Sequence, residues 1–134
     1  MKSCYVCYNA NPKHKTVDCA IRAVAKAAGL SWLDAFDGLC AVARRRYSVP
    51  NDWGVCQRYL ATLGFVRGDA PKIAKGSHRP TVRSFAEAHP SGAYVLRVVN
   101  HLTCVVDGKY YDLWDCGNRA VYGYYGKEIG RAHV

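Results

Sequence analysis

The chain has 134 residues, half of them apolar, which fits one domain with its own core and excludes a disordered chain. No apolar run approaches 18 residues, so no membrane-spanning helix is expected, and an odd count of seven cysteines excludes a fully paired disulfide framework. Nineteen basic against ten acidic residues give a formal charge of +9, which favours weak association with polyanions or acidic proteins and is silent on fold.

The chain opens Met1-Lys2-Ser3-Cys4, with no apolar stretch behind the charge. No secretion signal is expected there, and a cytoplasmic location with reduced thiols follows as the expectation. The first 17 residues are polar and read as extended. Residues 19–28 carry Ile21, Val24, Ala25 and Ala28 at i, i+3, i+4 and i+7, one apolar face of a helix. Arg22 and Lys26 fall on the opposite face. Asp18 is the predicted N-cap and Gly29 the C′ residue, so Cys19 opens the helix.

Ser31 followed by Asp34 predicts the start of a second helix with Trp32, Phe36, Leu39, Cys40 and Ala43 as its stripe. Arg44, Arg45 and Arg46 close it, where cations suit the helix dipole. Asn51 is the predicted cap of a third helix, with Val55, Cys56, Tyr59, Leu60 and Leu63 inward and Gly64 at its end. Residues 67–80 read as a basic loop, and Thr81–His89 as a short fourth helix stopped by Pro90.

The character then changes. Tyr94–Val99 reads as a strand, and HLTCVV, Asp107-Gly108 and KYYDLW read as a β-hairpin with a two-residue type I′ turn. Gly117-Asn118 marks another turn before a last strand, AVYGYY. Helices first and an antiparallel meander after them predict a single α+β domain, residues 1–134.

The hairpin register follows from its turn. Val106 faces Lys109, Thr103 faces Asp112 and His101 faces Trp114. Facing residues share a side and sides alternate, so His101, Thr103, Val105, Tyr110, Asp112 and Trp114 lie on one face. The other face, with Leu102, Cys104, Val106, Tyr111 and Leu113, reads as core. His101 and Asp112 are then diagonal neighbours about 7–8 Å apart at the backbone. Asp115 points the other way unless a bulge near Trp114 reverses the choice.

A carboxylate beside an imidazole fixes the ring's tautomer and leaves its second nitrogen free to act as a base. The missing part is a nucleophile. A thiol at a helix N-terminus is activated by unpaired amides and the dipole, and Cys19 has that position. Its own backbone N–H is free to help bind an oxyanion. His14, His78, His89 and His133 have no partner in this register and are assigned to surface or loop roles.

The stretch YNANPKHKTVDCAIRAVAKAAGLSWLDAF resembles a group of small phage and prophage proteins with a papain-like fold, and HLTCVVDGKYYDLWDC resembles their second motif. The arrangement is also similar to bacteriocin-processing cysteine peptidases of the papain superfamily. The resemblance implies a papain-like fold from about Tyr8 to Tyr125. It implies a peptidase or isopeptidase with Cys19 as nucleophile, His101 as base and Asp112 as orienting acid. Trp114 is implied to shield the His–Asp pair. No cofactor is implied, and the partner is a protein or peptide substrate in a host cytoplasm, with nucleic acid unlikely and no membrane. One departure stands out. The family's Gln six residues before the nucleophile is Lys13 here, and Asn11 is the nearest upstream amide to replace it as an oxyanion donor.

Two other readings compete. A papain-like fold that lacks the Gln suits a catalytically silent binding protein. Cys4, Cys7, His14 and Cys19 form a C-x2-C-x6-H-x4-C pattern that approaches a zinc knuckle and would suit a nucleic-acid-binding module. That pattern has two residues too many before the His, and it leaves His101 and Asp112 unexplained.

Overall fold

The structure is a computed structural model and describes residues 4–13, 15–68 and 78–128. Its centre is helix α1, Cys19–Ala28. Small side chains let this helix be enclosed: Ala20, Ala23, Val24, Ala25 and Ala27 are all buried. Gly29 ends it at φ +69°, and the Leu30 N–H returns to the Ala25 carbonyl, a left-handed cap that only glycine enters without cost. The two-faced helix predicted from its periodicity is corrected here. Arg22 is buried, so the face assigned to solvent is covered as well.

Helix α2, Trp32–Arg45, packs on α1, and helix α3, Trp53–Thr62, packs on α2. Ser31 caps α2 as predicted, its Oγ accepting from the Asp34 N–H at 3.1 Å. A Cβ at Gly38 would stand 2.1 Å from the Tyr59 ring, so glycine there lets α3 approach. Leu39, Val42, Val55 and Leu60 fill the space between the helices and the sheet. The cap of α3 is Asp52 rather than Asn51, whose amide is used elsewhere.

The sheet has six strands: β1 (Tyr5–Cys7), β2 (Val66–Gly68), β3 (Ala93–Val98), β4 (His101–Val106), β5 (Lys109–Asp112) and β6 (Gly123–Lys127). Their spatial order is β1-β5-β4-β3-β6-β2. Strands β3, β4 and β5 are the antiparallel meander expected. Asp107 and Gly108 turn the hairpin at φ +50° and +80°, and Val106 pairs with Lys109, Val105 with Tyr110 and Cys104 with Tyr111. The predicted register is therefore the observed one as far as Tyr111, one residue before the strand ends.

Three features depart from a simple meander. Strand β6 crosses back to pair with β3, β1 joins β5 in parallel, and β2 forms a short edge on β6. The basic loop predicted over 67–80 loses Arg67 and Gly68 to β2, and most of the rest lies outside the described residues. The sheet is also covered on both faces. Ala93, Val95, Leu102 and Cys104 face α1 and its neighbours. Leu96, Val98, Val105 and Tyr110 pack under helix α4, Val82–Ala88, which carries a reciprocal capping box between Thr81 and Ser84. The face read as only the site face thus has a core of its own. No helix among the described residues is long and apolar enough to cross a membrane.

Candidate active site

The N-terminus of α1 meets the sheet where β4 begins and β5 ends. Cys19, His101 and Asp112 come together at this corner. The His101 Nε2 stands 2.6 Å from Asp112 Oδ2, so the diagonal pair inferred from the hairpin forms. Asp115 is elsewhere: it accepts from the Tyr110 hydroxyl and the Gly117 N–H, and faces Arg83 at 3.8 Å. Trp114 lies against the imidazole with ring centroids 4.9 Å apart.

Asp112 is held on both oxygens. Oδ1 accepts from Arg22 Nη1 at 2.9 Å and from the Leu113 N–H at 2.8 Å. Oδ2 is left for His101, with the Cys116 thiol 3.5 Å away. Arg22 Nε also donates to Asp18 Oδ1 at 2.7 Å, and Trp32 Nε1 donates to Asp18 Oδ2 at 2.8 Å. Asp18, predicted as the side-chain cap of α1, sits at the cap position but makes no capping hydrogen bond. Its carboxylate turns inward to the arginine instead.

This network sets the electrostatics. Two buried carboxylates share one guanidinium, which leaves one net negative charge enclosed. A protonated His101 neutralises it. Burial pushes His101 down, but the hydrogen bond to Asp112, the two neighbouring thiols and the Asp112 charge outweigh burial and raise it to about 11. Asp112 shows the converse: burial raises it, while His101, the nearby Thr103 hydroxyl and Arg22 hold it down to about 2. Burial also pushes the Cys19 thiol up, yet the His101 ring and the Leu102 backbone N–H favour its thiolate and leave it below the ordinary thiol value. At Cys56 and Cys104 burial is the leading cause and carries both up to about 12, although the Tyr111 backbone and Lys26 pull Cys104 the other way.

The signs of the linkage follow. His101, raised from 6.5, contributes stability that is complete below that value and fades as pH climbs through about 11. Asp112, lowered from 3.8, contributes stability that is present above that value and fades as pH falls toward 2.

Cys19 and His101 open onto a cavity of about 360 Å³, also lined by Asn51, Trp53, Arg97 and Asn100. Asn11 is not among its walls. The Asn11 side-chain Oδ1 accepts from the Lys13 N–H at 2.9 Å, and the residue borders a different cavity. The amide expected to replace the missing Gln is therefore misplaced at Asn11, and the side-chain amides that line the thiol cavity are those of Asn100 and, from the loop before α3, Asn51. The Asn51 Nδ2 donates to the Val17 carbonyl at 3.0 Å. Nothing in local sequence pattern links Asn51 to Cys19, because 32 residues and a whole helix separate them.

Arg22 and Cys116 are the other residues that sequence reasoning missed. The one available signal was the i, i+4 spacing of Asp18 and Arg22, which places the two on one helical face.

Among the described residues, the one group of three metal-ligating side chains is His101, Asp112 and Cys116, with donor atoms within 4.8 Å of one another. It suits a cation poorly. Arg22 already occupies Asp112, and its fixed charge opposes a second cation beside that carboxylate. Cys4, Cys7 and Cys19 do not gather into such a group, and His14, the fourth position of the knuckle pattern, lies outside the described residues, as does His133. All seven cysteines are unpaired. His78 is exposed, and His89 stacks on Phe85 with its Nδ1 2.8 Å from the Phe85 carbonyl, a packing role.

Comparison of the chain with protein-family models, curated proteins and solved structures returns no match.

Proposed function

We propose that this chain is a papain-like thiol hydrolase that cleaves peptide or isopeptide bonds through an acyl-enzyme. The observation that carries the reading is a helix-opening thiol facing an imidazole whose far nitrogen is held 2.6 Å from a buried carboxylate. The resemblance of the segments around Cys19 and His101 to small phage and prophage proteins agrees with it.

In this reading the Cys19 sulfur attacks the acyl carbon. A C–S bond forms and the carbonyl π pair moves to oxygen. The oxyanion meets the Cys19 backbone N–H, one of the first-turn amides without an intrahelical partner, and the Asn51 amide. The intermediate collapses as the protonated His101 gives its proton to the leaving amine. Neutral His101 then takes a proton from water. The hydroxide attacks the thioester carbon, and Cys19 departs as thiolate. Asp112 stays ionised throughout and orients the ring.

The test is site-by-site alkylation by iodoacetamide at pH 6, followed by mass spectrometry. An ordinary thiol with a pKa near 8.5 is almost inert there. Cys19 is expected to label at least about ten times faster than exposed Cys7, and the advantage is expected to vanish in His101→Ala. Equal labelling of Cys19 and Cys7 would sink the hydrolase and leave the silent binder, which the Lys at position 13 favours. Thiols of Cys4, Cys7 and Cys19 that react only after chelation would instead favour the zinc module.

Arg97 adds a second expectation. It lines the thiol cavity and makes no ion pair among the described residues. A guanidinium there draws anions toward the sulfur. The ratio of iodoacetate to iodoacetamide rates at Cys19 is expected to drop about threefold or more in Arg97→Ala. An unchanged ratio would remove Arg97 from substrate recognition.

A further inference from the structure

Helices α1, α2 and α3 end in the same way. A backbone N–H past each helix returns to the carbonyl five residues back: Leu30 to Ala25, Ser48 to Ala43 and Phe65 to Leu60, at 2.9, 2.9 and 3.0 Å. This closure needs a left-handed residue just before that N–H. In α1 and α3 it is a glycine, Gly29 at φ +69° and Gly64 at φ +89°. In α2 it is Tyr47, at φ +54°. The other non-glycine residues at positive φ among those described are Asn100 and Asp107, types that enter this region with little strain. A tyrosine is strained there, because its Cβ crowds the following carbonyl oxygen.

Strain of this kind persists where contacts offset it. The Tyr47 side chain has none within the chain to do so, being 99% exposed. Before it stand Arg44, Arg45 and Arg46, all exposed, and none in an ion pair among the described residues. Successive residues stand about 100° apart around a helix, so the three guanidinium groups fan about its end. The helix dipole accounts for cations here. It does not account for a tyrosine in a glycine's place. Arginine beside an exposed aromatic is the composition of a binding anchor.

We propose that the end of α2 docks an acidic segment of a protein partner, with Tyr47 as the anchor and Arg44, Arg45 and Arg46 pairing its carboxylates. The charges are complementary, and a guanidinium takes a carboxylate through two parallel hydrogen bonds. Single-stranded nucleic acid suits the patch less well, because it is held by successive rings on which bases stack. Here the next exposed large side chain along the loop is Val49, an aliphatic residue at the edge of an apolar cavity walled by Trp32 and Phe36. The loop then reaches Asn51, a wall of the thiol cavity, at most about 14 Å along the chain from Tyr47. A polypeptide docked at Tyr47 thus lies within a few residues' reach of that cavity. The patch goes beyond the hydrolase reading and holds equally for a silent binder.

The experiment is fluorescence anisotropy at low ionic strength, where surface charge is least screened. The probe is a labelled peptide of alternating glutamate and proline, which offers carboxylates to the arginines and an apolar ring to the tyrosine. A serine–proline peptide of the same length and a single-stranded oligothymidylate are the controls. Tyr47→Gly is expected to weaken binding of the glutamate peptide at least about tenfold, as loss of an anchor does. Its urea midpoint is expected to rise above wild type, because glycine enters the left-handed cap without strain. Binding lost from a more stable protein does not come from unfolding. A fall in the midpoint would show that the ring serves the fold, and would overturn the patch. Arg44→Gln/Arg45→Gln/Arg46→Gln is expected to lose binding too. Arg58→Gln/Arg67→Gln/Lys109→Gln removes the same charge from exposed positions elsewhere and is expected to keep most of it. Unchanged binding in Tyr47→Gly, or equal loss in the two triple variants, would leave only attraction by the net charge of +9 and overturn the patch. Oligothymidylate bound more tightly than the glutamate peptide, and through Tyr47, would give the patch to nucleic acid and overturn the proposed partner. Cys19→Ala is expected to bind the glutamate peptide as wild type does, whatever iodoacetamide shows of the thiol. Binding lost in Cys19→Ala would place the peptide in the thiol cavity and overturn the patch.

Discussion

Arg22→Met is expected to lower stability by about 3–5 kcal/mol, the cost of removing one partner from a buried ion network. The measurement is urea unfolding followed by circular dichroism, read as a lower midpoint at unchanged slope. Methionine keeps most of the apolar stem, so the loss reports the charge. In the native protein Arg22 is 6% exposed and answers Asp18 and Asp112, each 1% exposed. Without it two enclosed carboxylates face each other, and protonated His101 answers one of them. The double variant Asp18→Asn/Arg22→Met restores the enclosed charge to a single negative. It is therefore expected to be more stable than Arg22→Met alone. A single variant within about 1 kcal/mol of wild type, the range of an exposed pair, would mean that water reaches the network.

The same arginine explains how the site acquires its orientation. A carboxylate accepting only from an imidazole can turn about its last bond. At Asp112, Arg22 and the Leu113 N–H hold Oδ1, which points Oδ2 at His101. Because Arg22 stands three residues after Cys19 in α1, one short helix supplies both the nucleophile and the brace of the residue that orients its base. The network continues through Asp18 to Trp32, a wall of the apolar cavity. Reactive corner and cavity wall are thus parts of one rigid assembly.

Much of this corner was legible in the sequence, and the reason is local geometry. Asp107-Gly108 admits a turn with both residues at positive φ, and that turn sets the pairing of β4 with β5 back to Cys104, from which the alternation of faces carries on to His101. Asp112 over Asp115 follows by counting. Ser31 and Thr81 cap as their spacing implies. Other features depend on contacts remote in sequence. A helical wheel assigns a charged residue to water, yet α1 is wrapped by the sheet, α2 and α3, so Arg22 has no outward side. The return of β6 to β3 and the covering of the second face by α4 are non-local pairings with no periodic signature. The two cavities have walls from residues 11–13, 16–21, 32–36, 49–53 and 97–102, segments that only the folded chain brings together.

Asp112→Asn is expected to act in the opposite sense to Arg22→Met, with a large effect on reactivity and a smaller one on stability. Arg22 keeps Asp18 as its partner, so the enclosed cluster becomes neutral and no charge is stranded. His101 loses its first source of elevation, the carboxylate 2.6 Å away, and the burial that pushes it down is no longer opposed by that charge. An imidazole that is neutral near pH 6 cannot hold a thiolate beside it. Cys19 then returns toward an ordinary thiol, whose thiolate fraction at pH 6 is below about 1%. Alkylation at that pH is expected to fall about 100-fold from wild type, while the rates converge above pH 9, where any thiol ionises. The profile is what separates a charge effect from collapse of the fold: a distorted site would lose rate at every pH. A wild-type profile retained by Asp112→Asn would show that Asp112 braces Arg22 only, and that His101 and Cys19 do not act with it as a triad.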